Sequence, residues 1–171
     1  VLRCNYNMMG FSGAGERVRP GPNRRAKELS LVIEKALTPV LDLTSYPNAV
    51  IDIYVELLET DAGTRCAAIC AAAMALADAG IPMKDLVSSV SVGDFEGTLM
   101  LDINSYEDCD LGATDIPIAI MPRSGEITLL QMDGKIKKEQ LKEALKMGIK
   151  ACKDIYEIQK KALKERYQNE Q

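Results

Sequence analysis

A strand, a glycine-containing loop and an almost uncharged helix follow one another within residues 49–79, and this unit constrains the fold more than any other part of the chain. Apolar and polar residues alternate over 51–57, which predicts a half-buried strand. Residues 63–79 are mostly Ala, Cys, Ile, Met and Leu, with almost no charge after Arg65. Such a helix is expected to be apolar on all sides and buried. It is too short to span a membrane, so it must lie inside a protein core.

The rest of the chain predicts further helices and strands around this unit. With 171 residues, 47% of them hydrophobic, the chain is long enough for one globular core. We interpret it as a single α+β domain over 1–167 followed by a tail at 168–171. The other predicted elements are a strand at 1–9, an amphipathic helix at 24–41, strand pairs at 86–92 with 97–103 and at 116–121 with 126–132, and a helix at about 138–166 ending in a charged, frayed tail.

Composition excludes several kinds of chemistry. The chain has no histidine, which excludes Ser-His-Asp triads, Cys-His pairs and histidine metal ligands. Acid–base chemistry must come from carboxylates, Lys, Tyr or Cys. The five cysteines are odd in number and form no CxxC pair, which favours free thiols in a cytoplasmic protein. A net charge of −4 does not favour nucleic-acid binding by bulk electrostatics, but it leaves room for a local basic site.

The loop at 61–65 is the first candidate site. Gly63 permits a close backbone approach to an anion, Thr64 offers a hydroxyl, and the first N–H groups of the following helix lack intrahelical partners. Arg65 would complete a phosphate cradle. The same residues also fit an ordinary helix start, capped by Asp61 or Thr64, with a solvated Arg65.

A basic cluster before and at the start of the helix at 24–41 is the second candidate. Arg24 and Arg25 open that helix, although the macrodipole disfavours cations there. Guanidinium groups bind phosphate bidentately, so a phosphate would explain the placement. A solvated basic loop is the alternative. The cluster consists of Arg17, Arg19, Arg24, Arg25 and Lys27.

The third candidate is an acidic loop between two predicted strands. It contains Glu107, Asp108, Asp110 and Asp115. Repulsion among carboxylates favours a divalent cation or a raised pKa. A solvated, turn-rich loop is the alternative, since the spacing does not match an EF-hand.

Six segments occur together and carry a resemblance over most of the chain. They are RPGPNRR at 19–25, ETDAGTR at 59–65, ALADAGIPMKDLV at 75–87, LMLDINSYED at 99–108, DIPIAIMP at 115–122 and ITLLQMDG at 127–134. In this order they resemble the RNase PH family, and within it the catalytic RNase PH-like subunits of archaeal exosomes. The resemblance implies an RNase PH-like domain of the ribosomal protein S5 domain 2-like kind, with mixed or antiparallel sheets packed against helices. It also implies that N-terminal strands of the family domain are missing here.

The resemblance further implies phosphorolysis, in which inorganic phosphate attacks the last 3′ phosphodiester of RNA and releases a nucleoside diphosphate. The implied partners are single-stranded RNA 3′ ends, a paralogous non-catalytic subunit in a hexameric ring of three heterodimers, and RNA-binding cap subunits, with no membrane. The implied roles are phosphate binding by Arg25, Gly63, Thr64 and Arg65, RNA binding by Arg24 and Arg19, and catalysis with Mg²⁺ or Mn²⁺ binding by Asp108 and Asp115.

One feature departs from the family pattern. Asp108 and Asp115 are seven residues apart, whereas the resemblance implies six. Either Asp108 still reaches the site through a bulge, or Asp110 replaces it. We prefer Asp108, because Glu107 preserves the family's Glu-Asp pair.

Two other functions stay open from the sequence. A stand-alone RNase PH that trims tRNA 3′ ends is disfavoured because GIPMKDLV and PIAIMP look more like the exosome subunit. A non-catalytic structural ring subunit is disfavoured by retention of the predicted phosphate ligands Arg25, Thr64 and Arg65 and of Asp115.

Overall fold

The computed structural model of the protein describes residues 1–13 and 23–168, in four stacked layers of alternating sheet and helix. The strands are β1 (Leu2–Met8), β2 (Ile51–Leu57), β3 (Ser88–Phe95), β4 (Thr98–Leu101), β5 (Thr114–Met121) and β6 (Glu126–Leu130). The helices are α1 (Arg24–Leu37), α2 (Thr64–Asp78) and α3 (Lys138–Gln168). Every predicted strand and helix is present, with ends shifted by a few residues. No helix in the described part of the chain is long and apolar enough to cross a membrane.

The first layer is a two-stranded parallel sheet of β1 and β2, with α1 as the connection between the strands. Parallel neighbours require a long crossover, which α1 provides. The Asn23 side chain caps α1 by accepting a hydrogen bond from Ala26 N at 2.7 Å. This helix is shorter than the predicted 24–41. It ends at Leu37 because Pro39 has no N–H to donate to the Lys35 carbonyl, and a 3₁₀ turn follows at Thr38–Val40.

The third layer is a four-stranded antiparallel sheet in the order β4-β3-β5-β6. Both predicted strand pairs are confirmed, and β3 pairs with β5 at its centre. The fourth layer, α3, covers the outer face of this sheet. A Cβ on Gly148 would lie 2.5 Å from Ile118 Cδ1, so the missing side chain lets α3 approach the strands closely.

The second layer, α1 and α2, lies between the two sheets. Ile69 and Ala73 of α2 are fully buried, as expected for an uncharged helix. The expectation of burial on all sides is wrong for one stripe, because Ala67, Ala71 and Ala75 are exposed beside β2. The described strands of the first sheet are too few to cover this side of the helix.

The end of α3 packs back onto α2. Arg166 Nε lies 3.0 Å from Asp78 Oδ1, and the Tyr167 hydroxyl donates to the Asp78 carbonyl at 3.0 Å. The expectation of a frayed helix end is therefore wrong up to these residues. Gln168 is the last residue of α3, and residues 169–171 lie outside the described chain. The division into a domain at 1–167 and a tail stays a prediction.

Candidate functional site

The turn before α2 has an unusual backbone. Ala62 and Gly63 both adopt the left-handed conformation, with φ of 57° and 55°. For an L residue such as Ala62 this conformation costs on the order of 1–2 kcal/mol, and such strain is concentrated at functional sites. Gly63 is the N-cap, and no side chain caps the helix, so neither Asp61 nor Thr64 has the capping role of the alternative interpretation. The helix begins with uncapped N–H groups, which favour an anion.

Thr64 and Arg65, the first two residues of α2, each have one defined partner. The Tyr6 hydroxyl donates to Thr64 Oγ1 at 2.8 Å. Arg65 Nη1 donates to Gln131 Oε1 at 2.6 Å, which orients the guanidinium from just beyond β6. No ion pair joins Arg65 to a carboxylate among the described residues, so its charge is available to a bound anion.

Arg24 and Arg25 are exposed at the first turn of α1, which contains no acidic residue. Arg25 acts electrostatically on Tyr6 and on Asp108, so its charge lies near the start of α2 and the acidic loop. Nothing comparable links Arg24 to the other candidate residues within the described chain. Arg17 and Arg19 lie outside the described residues.

The acidic loop folds into a π-helical turn at Tyr106–Asp110. Leu111 N donates to the Tyr106 carbonyl at 3.0 Å, an interval of five residues that accommodates one residue more than an α-turn. The carboxylate of Glu107 accepts a hydrogen bond from Asn104 N at 2.9 Å, which is a local structural role. Asp108 is half-buried, whereas Asp110 is exposed. The turn is a bulge of the kind that the preference for Asp108 assumed, and the choice between Asp108 and Asp110 stays a prediction.

The loop is also tied to the turn before α2. Asp61 Oδ1 accepts a hydrogen bond from Ser105 N at 2.8 Å, directly before the π-turn. This bond connects the two candidate segments across the junction between the halves of the chain.

Asp115 is held on β5 by its backbone and its side chain. Its N–H and carbonyl pair with Asp133 at 2.9 and 2.8 Å. The buried Ser91 on β3 donates a short hydrogen bond to Asp115 Oδ1. A carboxylate fixed in this way has little freedom to turn away.

Four charged side chains of the site act electrostatically on the Asp108 carboxyl. Its pKa is raised, first by partial burial and then by the negative charges of Asp115 and Asp133. Arg25 and Arg65 oppose the rise. All four charges act on one carboxyl. Of the predicted basic residues of the first half, Arg25 and Arg65 therefore lie near Asp108. Of the predicted acidic residues of the second half, Asp115 does.

The donor set fits a hard divalent cation. Mg²⁺ usually binds one or two protein carboxylates and completes its shell with water and phosphate oxygens. Asp108 and Asp115 would supply the carboxylates. No group of three or more Asp, Glu or Cys side chains forms a full protein cage in the part of the chain that the structure describes. Cys66 and Cys70 pack in the interior, where Ser89 N donates to the Cys70 sulfur at 3.1 Å.

Sequence analysis did not single out four residues of this site: Tyr6, Ser91, Gln131 and Asp133. Gln131 and Asp133 belong to the segment ITLLQMDG, where polar residues directly follow a strand. Tyr6 and Ser91 occupy inward positions of strands, where a polar group needs a partner, and that was the available signal.

Two models of one protein family match the chain in succession. Residues 1–82 match the model of domain 1 of the 3′ exoribonuclease family, RNase PH, and residues 85–151 match domain 2. Exosome complex component Rrp41 of Pyrococcus furiosus is 53% identical over 167 residues, which are 98% of this chain and 66% of that relative. The counterpart in Methanopyrus kandleri is 51% identical over 98% of this chain and 69% of its own length.

The fold has a solved counterpart in the crystal structure of rice (Oryza sativa) Rrp46. It superposes with a TM-score of 0.82 over 95% of this chain and 73% of that chain, at 22% identity. This likeness supports the RNase PH-like α+β fold that the six sequence segments implied. Because both family domains match in order across 1–151 and the archaeal relatives are about half identical over nearly the whole chain, the protein belongs to the 3′ exoribonuclease family, RNase PH.

Proposed function

We propose that this chain is the catalytic subunit of an archaeal exosome and degrades RNA from the 3′ end by phosphorolysis. One observation carries the proposal. Arg25 and Arg65, neither of which has a carboxylate ion pair among the described residues, lie within electrostatic reach of Asp108 and of its neighbouring carboxylates. Phosphorolysis needs both kinds of group in one place, a cationic cradle for the nucleophile and an acid for the leaving oxygen.

The chemistry assigns distinct roles to the two groups. Gly63, Thr64, Arg65 and Arg25 would hold inorganic phosphate against the last phosphodiester. A phosphate oxygen forms a bond to that phosphorus, and the bond from the phosphorus to the 3′ oxygen of the preceding nucleotide breaks. The terminal nucleotide leaves as a nucleoside diphosphate.

The departing 3′ oxygen takes up a proton. Asp108 suits this role, because burial and neighbouring carboxylates raise its pKa and so increase its protonated fraction. Asp115, held by Ser91, would orient the site. The alternative role of Asp108 is to bind a cation together with Asp115, in which case Asp108 would be ionised rather than protonated. A bound Mg²⁺ or Mn²⁺ would supply charge neutralisation between the anionic phosphates.

The proposed setting is a cytoplasmic hexameric ring of three heterodimers with a paralogous non-catalytic subunit, together with RNA-binding cap subunits. Arg24 and Arg19 would contact the RNA backbone. Supporting observations are the high identity to archaeal exosome components and the five free thiols.

The test is phosphate-dependent release of nucleoside diphosphates from RNA with a single-stranded 3′ end. The full-length form of the chain would be combined with its ring partner and Mg²⁺. Diphosphate release that requires phosphate supports the proposal. Monophosphate release would instead indicate hydrolysis, and absence of release would favour a structural ring subunit.

A further inference from the structure

A buried tyrosine outside the predicted site contacts the proposed phosphate cradle. Tyr6 lies on β1 with only 5% of its surface exposed. Its hydroxyl donates to Thr64 Oγ1 at 2.8 Å in a buried hydrogen bond. The family resemblance assigned Tyr6 no role, and its burial alone would make it a core residue.

The backbone of Tyr6 is tied to the second phosphate-binding element. Its N–H donates to Ser30 Oγ on α1 at 2.9 Å, and the Ser30 hydroxyl donates to the Ala26 carbonyl at 2.7 Å. Ala26 directly follows Arg25 in the first turn of α1. One strand residue therefore links helix α1, which has Arg25 in its first turn, to helix α2, which begins with Thr64.

The hydrogen bond with Tyr6 also determines whether the Thr64 hydroxyl can donate its proton to a bound phosphate. A hydroxyl group has one proton to donate and two lone pairs that accept. A phenol is a stronger acid than an aliphatic hydroxyl, so Tyr6 is the favoured donor in its contact with Thr64 Oγ1. The Thr64 oxygen then accepts, and its own proton remains for another partner. None of the described residues accepts that proton.

The tyrosine keeps its donor role across the working range of pH. Burial raises the pKa of Tyr6, although the hydrogen bond with Thr64 and the charges of Arg25 and Arg65 partly offset the rise. The phenol thus stays protonated at neutral pH. A chain of two donations, from Tyr6 to Thr64 and from Thr64 onward, is strengthened by mutual polarisation.

We infer that Tyr6 is a positioning residue for inorganic phosphate, which makes the Thr64 hydroxyl a committed donor to a phosphate oxygen. The inference rests on the proposed function, because it assumes that phosphate binds at the start of α2. It adds a residue on β1 to a phosphate cradle otherwise built from a turn and the first turns of two helices.

The test compares Tyr6→Phe, which removes only the hydroxyl, with the unchanged protein in the assembled ring. We expect the KM for inorganic phosphate to rise about tenfold, the size of one charge-assisted hydrogen bond. The KM for RNA and kcat at saturating phosphate should stay within about twofold, because the variant weakens binding of phosphate in the ground state and the transition state alike. Tyr54→Phe is the matched control, because Tyr54 is exposed on β2 and should change nothing.

A double-mutant cycle shows whether the effect runs through Thr64. Thr64→Val should raise the KM for phosphate by itself, and adding Tyr6→Phe to Thr64→Val should have no further effect. Additive effects would contradict the inference. An unchanged KM for phosphate in either single variant would also contradict the inference. If Tyr6→Phe folds poorly, Thr64→Val still tests whether the Thr64 hydroxyl binds phosphate.

Failure of the proposed function gives a different result. In that case the unchanged protein itself would release no diphosphate, or would not depend on phosphate. A phosphate-dependent unchanged protein combined with a normal KM for phosphate in Tyr6→Phe would overturn only the role of Tyr6.

Discussion

The two halves of the chain contribute opposite charges to the candidate site and hold them in different ways. In the first half, Arg25 and residues 63–65 lie at the first turns of α1 and α2. In the second half, Asp115 lies on a central strand, and Asp108 lies on a π-turn between strands. The cations are therefore placed by where helices begin, whereas one carboxylate is placed by a strand of the antiparallel sheet and the other by the π-turn before that strand.

This difference predicts different sensitivities. A helix terminus depends on a few residues of a turn, so the cationic half should respond strongly to single backbone changes. Asp115 is held by backbone pairing with Asp133 and by the Ser91 hydroxyl, so its position should survive removal of one contact. Two hydrogen bonds, from Arg65 to Gln131 and from Ser105 to Asp61, join the halves. They hold the cations of the first half beside the carboxylates of the second.

The largest expected effect comes from removing one charge from each half. Arg65→Gln and Asp115→Asn should each lower phosphorolysis by about 100-fold or more, as for other preorganised groups at a reacting centre. Raising phosphate should partly rescue Arg65→Gln but not Asp115→Asn, because only the first holds the nucleophile. Diphosphate release measured against phosphate concentration makes the distinction.

Arg123→Gln is the control for these two variants, since Arg123 lies at the remote turn after β5. Both active-site variants should still assemble into the ring. Full activity in both would show that the site is assigned to the wrong residues.

A smaller effect is expected from the contact that joins the halves. Gln131→Met keeps the length of the side chain but removes the acceptor of the Arg65 guanidinium. We expect kcat/KM to fall about tenfold, the size of one hydrogen bond to a charged group. The thermal midpoint should change little, because Gln131 is only half-buried. Unchanged kinetics would mean that Arg65 is oriented by the helix alone.

The left-handed turn can be tested by a matched pair of glycine changes. Gly63→Ala should destabilise the fold by about 1–2 kcal/mol, because φ is +55° and the new Cβ would lie 3.2 Å from Asp102 Oδ1. Gly112→Ala has a similar φ of +68° with nothing nearby, so it should show strain without crowding. Denaturant unfolding gives both values. Only Gly63→Ala should also weaken phosphate binding, and equal effects of the two on phosphate would contradict a special role of this turn.

The smallest effect concerns stability and pH. The pKa of Asp108 is raised in the folded state, so at neutral pH ionisation of this group favours unfolding. Asp108→Asn should therefore raise the thermal midpoint slightly at pH 7 while reducing activity. The gain should disappear as the pH falls below the ordinary range of an aspartate, where the carboxyl is protonated in both states. A lower midpoint at pH 7 would show that the neighbouring carboxylates do not repel Asp108.

Much of the fold could be predicted from local patterns. Alternation over 51–57 indicated β2, and the charge-free run after Arg65 indicated α2. The exposed stripe of Ala67, Ala71 and Ala75 could not be predicted, because helix composition does not reveal how wide the neighbouring sheet is. Helix α1 was predicted too long because the apolar period continues past Pro39, whereas the missing N–H of Pro39 interrupts the α-helical hydrogen bonds first.

The sequence by itself determined which groups are available for chemistry: arginines at helix starts, a glycine before a nearly uncharged helix, clustered carboxylates and no histidine. These are properties of neighbouring residues, so short-range patterns contain them. Only the tertiary structure decided the pairings. Tyr6 and Thr64 are 58 residues apart, Arg65 and Gln131 are 66 apart, and Ser91 and Asp115 are 24 apart. Such contacts depend on how helices and strands stack, and the orientation of each side chain in the site follows from that packing.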